Sequence, residues 1–335
     1  MNWSLLGHEW AVDLLSQHVA QGQVRHAYLL TGPQGVGRRT LALRLAQALN
    51  CPQPVSPGQP CLKCSTCQRI QKMAYTDLSL VQAEGAGGTL KVEQVRELQH
   101  ALSLAPYEGR YRVALLLRFE EAHPSAANAL LKTLEEPSPQ VVLVLTAESA
   151  ESLLPTIVSR CEVLRLRPLG VEDLKTGLQQ SYGLEVEKAE LLAHLSAGRP
   201  GVALRLHEKP DEMERRQEWL DDLYRLIASN RVKRFAYIEP LAKKEEKEKL
   251  YNILLTWLSF SRDVLMAVAG AEAAVVNLDW EPEIKDIASR LDVPSARGMV
   301  SAIERTLDQL DRNINTRLAG EVLMLDLPVL PTVRG

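Results

Sequence analysis

The sequence has no run of about 18 uninterrupted apolar residues, which excludes an ordinary transmembrane helix. Its start, MNWSLLGHEW, lacks the basic stretch and apolar core of a signal peptide, so a cytoplasmic location is expected. Positive charge is not in excess either: 39 Lys and Arg face 42 Asp and Glu, for a net charge of -3 and a pI near 6.2. Without a global positive field the chain does not draw in nucleic acid by itself, and any DNA contact is local or shared with partners. A basic stripe interleaved with aromatics, as a freestanding single-strand binder needs, is missing. There is no internal repeat and no extended low-complexity segment, so the chain is not a repeat array. What remains is a chain of 335 residues, longer than one average domain, for which two or three domains are expected.

Cysteine is scarce but clustered. Cys51, Cys61, Cys64 and Cys67 fall in one short segment, and Cys161 stands far away. In a reducing compartment such clustering points to a metal before disulfides. The two overlapping Cys-x-x-Cys steps at 61–64 and 64–67, with Cys51, supply four thiolates for one tetrahedral ion. That is a closed structural Zn²⁺ site with no open position for catalysis. Four redox or unligated cysteines are the bland alternative, and Cys161 reads as buried rather than as a ligand.

Apolar patterning divides the chain. His26–Leu30 reads as a short buried strand running into TGPQGVG, and 39–49 carries Leu41, Leu45 and Leu49 at helical spacing. Leu78–Val81, Val113–Leu117 and Val141–Leu145 are further short apolar runs of the kind parallel strands show when helices cover both faces. Helices are predicted over 92–104 and 125–136, limited by Pro106 and Pro137. Strands alternating with helices to about residue 167 predict an α/β, doubly wound parallel sheet. Beyond it only helical stripes occur: Trp219, Leu220, Leu223, Leu226 and Ile227; Leu250, Leu254, Trp257, Val264 and Val268; Val300, Ile303, Leu307 and Leu310. The expected division is 1–167 for the sheet domain with the cysteine segment 51–67 inserted, 168–207 for a small helical domain, and 208–335 for a larger helical domain.

Between the first strand and the helix after it, Gly32, Pro33, Gln34, Gly35, Val36, Gly37, Arg38, Arg39 and Thr40 occupy the place of a Walker A sequence. The glycines let backbone N–H groups face a phosphate, and the helix N-terminus adds partial positive charge. Arg38 stands where the lysine belongs, and a planar guanidinium cannot copy a compact ammonium between two phosphates. Arg39 takes the position of the hydroxyl that holds Mg²⁺, putting a cation where a cation must sit. Thr40 cannot compensate, because one step along a helix turns the side chain by about 100°. Either the turn is kept for fold alone or it retains some nucleotide binding; ATP hydrolysis is not expected.

Taken with this loop, Asn128-Ala-Leu-Leu-Lys-Thr-Leu-Glu-Glu-Pro137 and Leu154-Pro-Thr-Ile-Val-Ser-Arg-Cys161 resemble the clamp-loader branch of AAA+ proteins, the subunits of bacterial DNA polymerase III that open the sliding clamp. Asn315-Thr-Arg-Leu-Ala319 and the apolar helix after it resemble the collar domain of the same family. The resemblance implies an AAA+ domain, a lid over 168–207 and a helical collar from 208. It also implies a five-subunit ring with tau/gamma motor subunits and a delta subunit as partners, acting on the sliding clamp and primed DNA. In such proteins the arginine of Ser159-Arg160-Cys161 reaches ATP bound by a neighbouring subunit, so Arg160 is the expected catalytic residue, acting in trans. Glu120 and Glu121 only approximate the Walker B pair, and the alignment there needs a short deletion. Thr146 matches the polar sensor, although a threonine there equally ends a strand. Gly201 stands where an ATP-hydrolysing subunit carries its lid arginine, with Arg199 two residues away. These defects favour a stationary, stator-like subunit over the competing readings, an ATP-hydrolysing motor subunit or a zinc-bearing DNA-binding module.

Overall fold

The computed structural model describes residues 3–85, 88–271, 275–312 and 314–330. Residues 331–335, the end of the expected third domain, lie outside the described residues. Among the described residues no helix is long and apolar enough to cross a membrane. The chain forms two compact units, Met1–Gly183 with Gly198–Val202, and Leu184–Ala197 with Ala203–Gly335.

In the first unit α1 (Glu9–Ala20) precedes β1 (Ala27–Thr31), α2 (Arg38–Asn50), α3 (Ser65–Gln71), β2 (Leu78–Val81) and α4 (Val92–Leu102). Then come β3 (Arg112–Leu116), α5 (Pro124–Glu135), β4 (Val141–Ala147), α6 (Pro155–Val158), β5 (Glu162–Arg165) and α7 (Val171–Tyr182). The five strands pair in parallel in the order β2-β3-β4-β1-β5. Each central strand is buried throughout because its side chains alternate between two cores. Tyr28, Leu30, Val113 and Leu115 meet Leu41, Leu45 and Leu49 of α2 on one face. Ala27, Leu29, Ala114 and Leu116 meet Leu98 and Leu102 of α4 and Leu130 and Leu134 of α5 on the other. Each such leucine contributes roughly 1.5–3 kcal/mol by leaving water. The chain passes from β1 to the far edge of the sheet and returns to β1's other side with β5. The carboxyl end of β1 is therefore a switch point, where α/β sheets open a crevice.

The strand and helix limits predicted from apolar runs shift by a residue or two. β1 extends to Thr31 because its ladder with β4 continues to Ala147, and α4 stops at Leu102. Below α4, the fully buried carboxylate of Asp77 gathers the turn that follows. It accepts from the backbone N–H of Tyr107 (2.7 Å), Glu108 (2.9 Å) and Gly109 (2.8 Å) and from Arg112 Nη2 at 3.2 Å.

The second unit is all helix: α8 (Val186–Leu195), α9 (Pro200–Glu208, which begins in the first unit), α10 (Pro210–Ile227), α11 (Arg231–Leu241), α12 (Lys247–Val268), α13 (Glu281–Ala288), α14 (Val293–Asp311) and α15 (Thr316–Asp326). The three predicted stripes lie on α10, α12 and α14, and most of their members form one core around Trp257 and Phe260. Arg234, 1% exposed, is locked by five bonds to carbonyls: Leu226, Ile227, Met324, Leu327 and Pro328, at 2.6–3.2 Å. These carbonyls lie at the carboxyl ends of α10 and α15, where a cation meets the negative pole of each helix; Leu226 and Ile227 also accept from the N–H groups of Ser229 and Leu330.

Candidate functional site

The glycine loop leaves β1 at Gly32 and enters α2 at Gly37. Gly32, Gly35 and Gly37 have φ of 142°, 83° and 116°, values an L side chain rarely adopts, so the loop's course depends on glycine. Gly32 N–H donates to the carbonyls of Ala147 and Glu148, beside the end of β4. His8 Nε2 donates to the Val36 carbonyl at 2.8 Å, and Gly201 N–H donates to the Gly35 carbonyl at 2.8 Å. A Cβ at Gly201 would lie 2.9 Å from that same carbonyl oxygen. The backbone of Gly201 thus rests directly on the glycine loop.

The two arginines of the loop part company. Arg38 is buried, and burial lowers its pKa, opposed by the carboxylates of Glu120 and Glu148. Its Nη1 has no hydrogen-bond partner, a costly state for a buried donor. Arg39 is exposed and turns away to Met73 Sδ at 2.8 Å. Its charge is thus directed to Met73 on the helix surface. Thr40 is half-buried one step farther along α2.

The residues directly after β3 are Leu117, buried, and Arg118, whose φ of 51° is left-handed. Glu120 and Glu121 come later, in a 3-10 turn over Phe119–Glu121. Glu121 is 3.3 Å from Arg118 Nε, and burial together with Glu120 and Glu148 raises its carboxyl pKa against that cation. Glu120 Oε2 is buried without a hydrogen-bond partner. Thr146 is buried in β4, and its Oγ1 accepts the Arg118 N–H at 2.9 Å, which fixes the start of the turn. Arg38, Arg118, Glu120, Glu121 and Glu148 thus form a charge cluster around the loop. Glu148 and His8 were not singled out in the sequence; neither lies in a motif, and only the fold brings them to the loop.

Ser159, Arg160 and Cys161 follow α6. Arg160 Nη1 donates to the Thr156 carbonyl at 2.8 Å and Nη2 to Glu135 Oε1 at 2.7 Å, with the side chain 35% exposed. Burial pushes the Cys161 thiol up to about 12, so it stays neutral.

The four clustered cysteines converge. Cys51 follows α2, Cys64 caps α3, and Cys67 lies in its first turn. Their sulfurs all lie within 4.8 Å of one another, with Cys51 Sγ 3.5 Å from Cys61 Sγ and 4.0 Å from Cys64 Sγ. A tetrahedral zinc with about 2.3 Å bonds requires sulfurs about 3.8 Å apart. Backbone N–H groups of Cys61, Cys64 and Cys67 point at the sulfurs of Cys51, Cys61 and Cys64 at 3.3–3.4 Å. The N–H groups of Cys64 and Lys63 lower the Cys61 thiol to about 6, toward the thiolate a metal needs, whereas burial raises the thiols of Cys51 and Cys67. The donor set and spacing fit a metal ion.

Family models described as DNA polymerase III, delta subunit, and DNA polymerase III, delta subunit, C terminal, match residues 7–170 and 210–328. The chain is 29% identical over 320 residues to DNA polymerase III subunit delta' of Bacillus subtilis, covering 94% of each. It is 39% identical over 215 residues to the subunit of the same name from Pseudomonas aeruginosa, covering 63% of this chain and 64% of that one. It is also 33% identical to DNA polymerase III subunit tau of Escherichia coli, covering 98% of this chain but only 50% of that longer one. Among solved structures, a DNA polymerase III, gamma subunit-related protein of Thermotoga maritima shares the fold, with a TM-score of 0.52 at 16% identity over 94% of this chain and 97% of that one. With a parallel five-stranded sheet and a helical C-terminal region, the chain belongs to the DNA polymerase III delta-prime family of clamp-loader proteins.

Proposed function

We propose that this chain is the stator-like subunit of a bacterial clamp loader. It joins tau/gamma motor subunits and a delta subunit in the cytoplasm to load the sliding clamp onto primed DNA. The segment over 168–207 serves as lid and the region from 208 as the collar. The observation that carries this reading is the loop itself: Arg38 is desolvated among carboxylates, and no hydroxyl stands at residue 39 to order Mg²⁺. Leu117, directly after β3, offers no metal ligand either. The isolated chain therefore contributes no ATP turnover of its own.

Arg160 contributes in trans. Its partly exposed guanidinium carries a planar charge to the edge of the subunit, where it stabilises the charge that develops as a neighbour's γ-phosphoryl group is transferred. The cysteine cluster holds a structural Zn²⁺ through Cys51, Cys61, Cys64 and Cys67. Bound there, the ion would crosslink the end of α2 to α3 and supply no catalysis, since four thiolates close its coordination.

The test uses the complete complex reconstituted with motor subunits, clamp and primed DNA. Arg160→Ala should assemble normally while lowering clamp-stimulated ATP turnover. A finger arginine is worth about 10³-fold or more at its own site, diluted by the other sites of a ring. Arg160→Lys should rescue poorly, because an ammonium lacks the planar fork. Normal turnover with Arg160→Ala at full occupancy removes the trans role, and robust turnover by the isolated chain moves it to the motor class. Elemental analysis of protein purified without added metal should find one zinc per chain; four reactive thiols in folded, metal-free protein would overturn the metal assignment.

A further inference from the structure

Two elements converge on Arg160. Glu135 is the last residue of α5, Thr156 belongs to α6, and each accepts a hydrogen bond from a different terminal nitrogen of the guanidinium. A long side chain loses rotamer freedom when it engages a phosphate, and a fork ordered beforehand has less to lose. Only part of the donor set is used by these two bonds, so N–H groups are left over for an incoming anion. The pair is also about half exposed, with Glu135 51% accessible, so it orients the fork without binding it strongly enough to resist a phosphate.

We infer that Glu135 is a positioning residue for Arg160: its carboxylate and the Thr156 carbonyl hold the guanidinium in a defined place at the subunit surface before the neighbouring nucleotide arrives. This rests on the trans reading of Arg160. Glu135 touches no reacting atom; it acts through the arginine alone, and therefore on the rate of the neighbour's chemistry rather than on nucleotide affinity.

The experiment compares Glu135→Ala, Glu135→Gln, Arg160→Ala and the double variant Glu135→Ala/Arg160→Ala in the reconstituted complex, at equal subunit occupancy. The part of clamp-stimulated kcat that depends on Arg160 should fall roughly two- to fivefold in Glu135→Ala, the range expected for a partly exposed ion pair, with KM for ATP unchanged. Glu135→Gln, which keeps the acceptor oxygen, should recover most of that loss, and the double variant should be no slower than Arg160→Ala. A role confined to folding would lower thermal stability and would still add to the Arg160→Ala defect. An unmodified rate for Glu135→Ala beside an impaired Arg160→Ala, or an additive double variant, overturns the positioning role and leaves the trans role standing. An unmodified rate for Arg160→Ala overturns both.

Discussion

Two buried arginines, one at the phosphate loop and one among the C-terminal helices, show how differently the same side chain is used. Arg234 is saturated: its N–H groups meet five carbonyls at the ends of α10 and α15, so its desolvation is offset by direct bonds on every side. Arg38 is buried to a similar degree, yet Nη1 has no hydrogen-bond partner, and carboxylates act on it only at longer range. The first arrangement is what a structural cation requires. The second leaves a buried donor unmet, in a loop whose course is set by glycines at positive φ.

The largest effect that bears on this contrast is expected at Arg234. Arg234→Met removes the donors that meet Met324, Leu327 and Pro328 at the end of α15, which should cost on the order of 4 kcal/mol. Urea unfolding followed in the helical unit reads it directly, and a loss below about 1 kcal/mol would mean that the carbonyls find water instead.

An intermediate effect belongs to Asp77, a buried carboxylate satisfied as fully as Arg234. Burial alone would raise its pKa, but the N–H groups of Tyr107, Glu108 and Gly109 and the charge of Arg112 outweigh burial and hold it below the ordinary carboxylate value. A carboxyl depressed on folding stabilises above its unfolded pKa and loses that contribution as pH falls through the folded one. Asp77→Asn should cost about 2 kcal/mol at neutral pH. The gap from the unmodified chain should be constant above about pH 5 and narrow as the pH drops below about 4. Urea midpoints measured between these limits test the sign: a gap that widens in acid would contradict the assignment.

The smallest effect is expected at Arg38. Replacing a poorly satisfied buried cation by an apolar side chain of similar length is often neutral or stabilising. Arg38→Met should therefore change stability by less than about 1 kcal/mol, while Arg234→Met does not come close to neutral. A large loss at Arg38, seen in the melting of the sheet unit, would show that Glu120 and Glu148 depend on it and that the loop has been rebuilt as a structural charge cluster.

Much of this was legible in the sequence, because short-range pattern encodes local structure. Continuous apolar runs marked the strands, 3.6-residue stripes marked the long helices, and cysteines at close spacing marked a group that the chain brings within 4.8 Å. Two arginines at residues 38 and 39, directly after the glycine loop, were equally plain, since the sequence states which side chain stands at each place. Only the tertiary structure decided where those side chains go. Nothing in the sequence shows that Arg39 turns out to Met73 while Arg38 turns in, or that Gly201 lays its backbone on Gly35. The meeting of Arg160 with Glu135, 25 residues away, and of Arg234 with carbonyls 90 or more residues on, is also set by packing. The physical reason is one of range. Propensity and periodicity act over one or two turns of chain, whereas the partner of a buried charge is whatever polar group the crossovers and helix ends deliver to it.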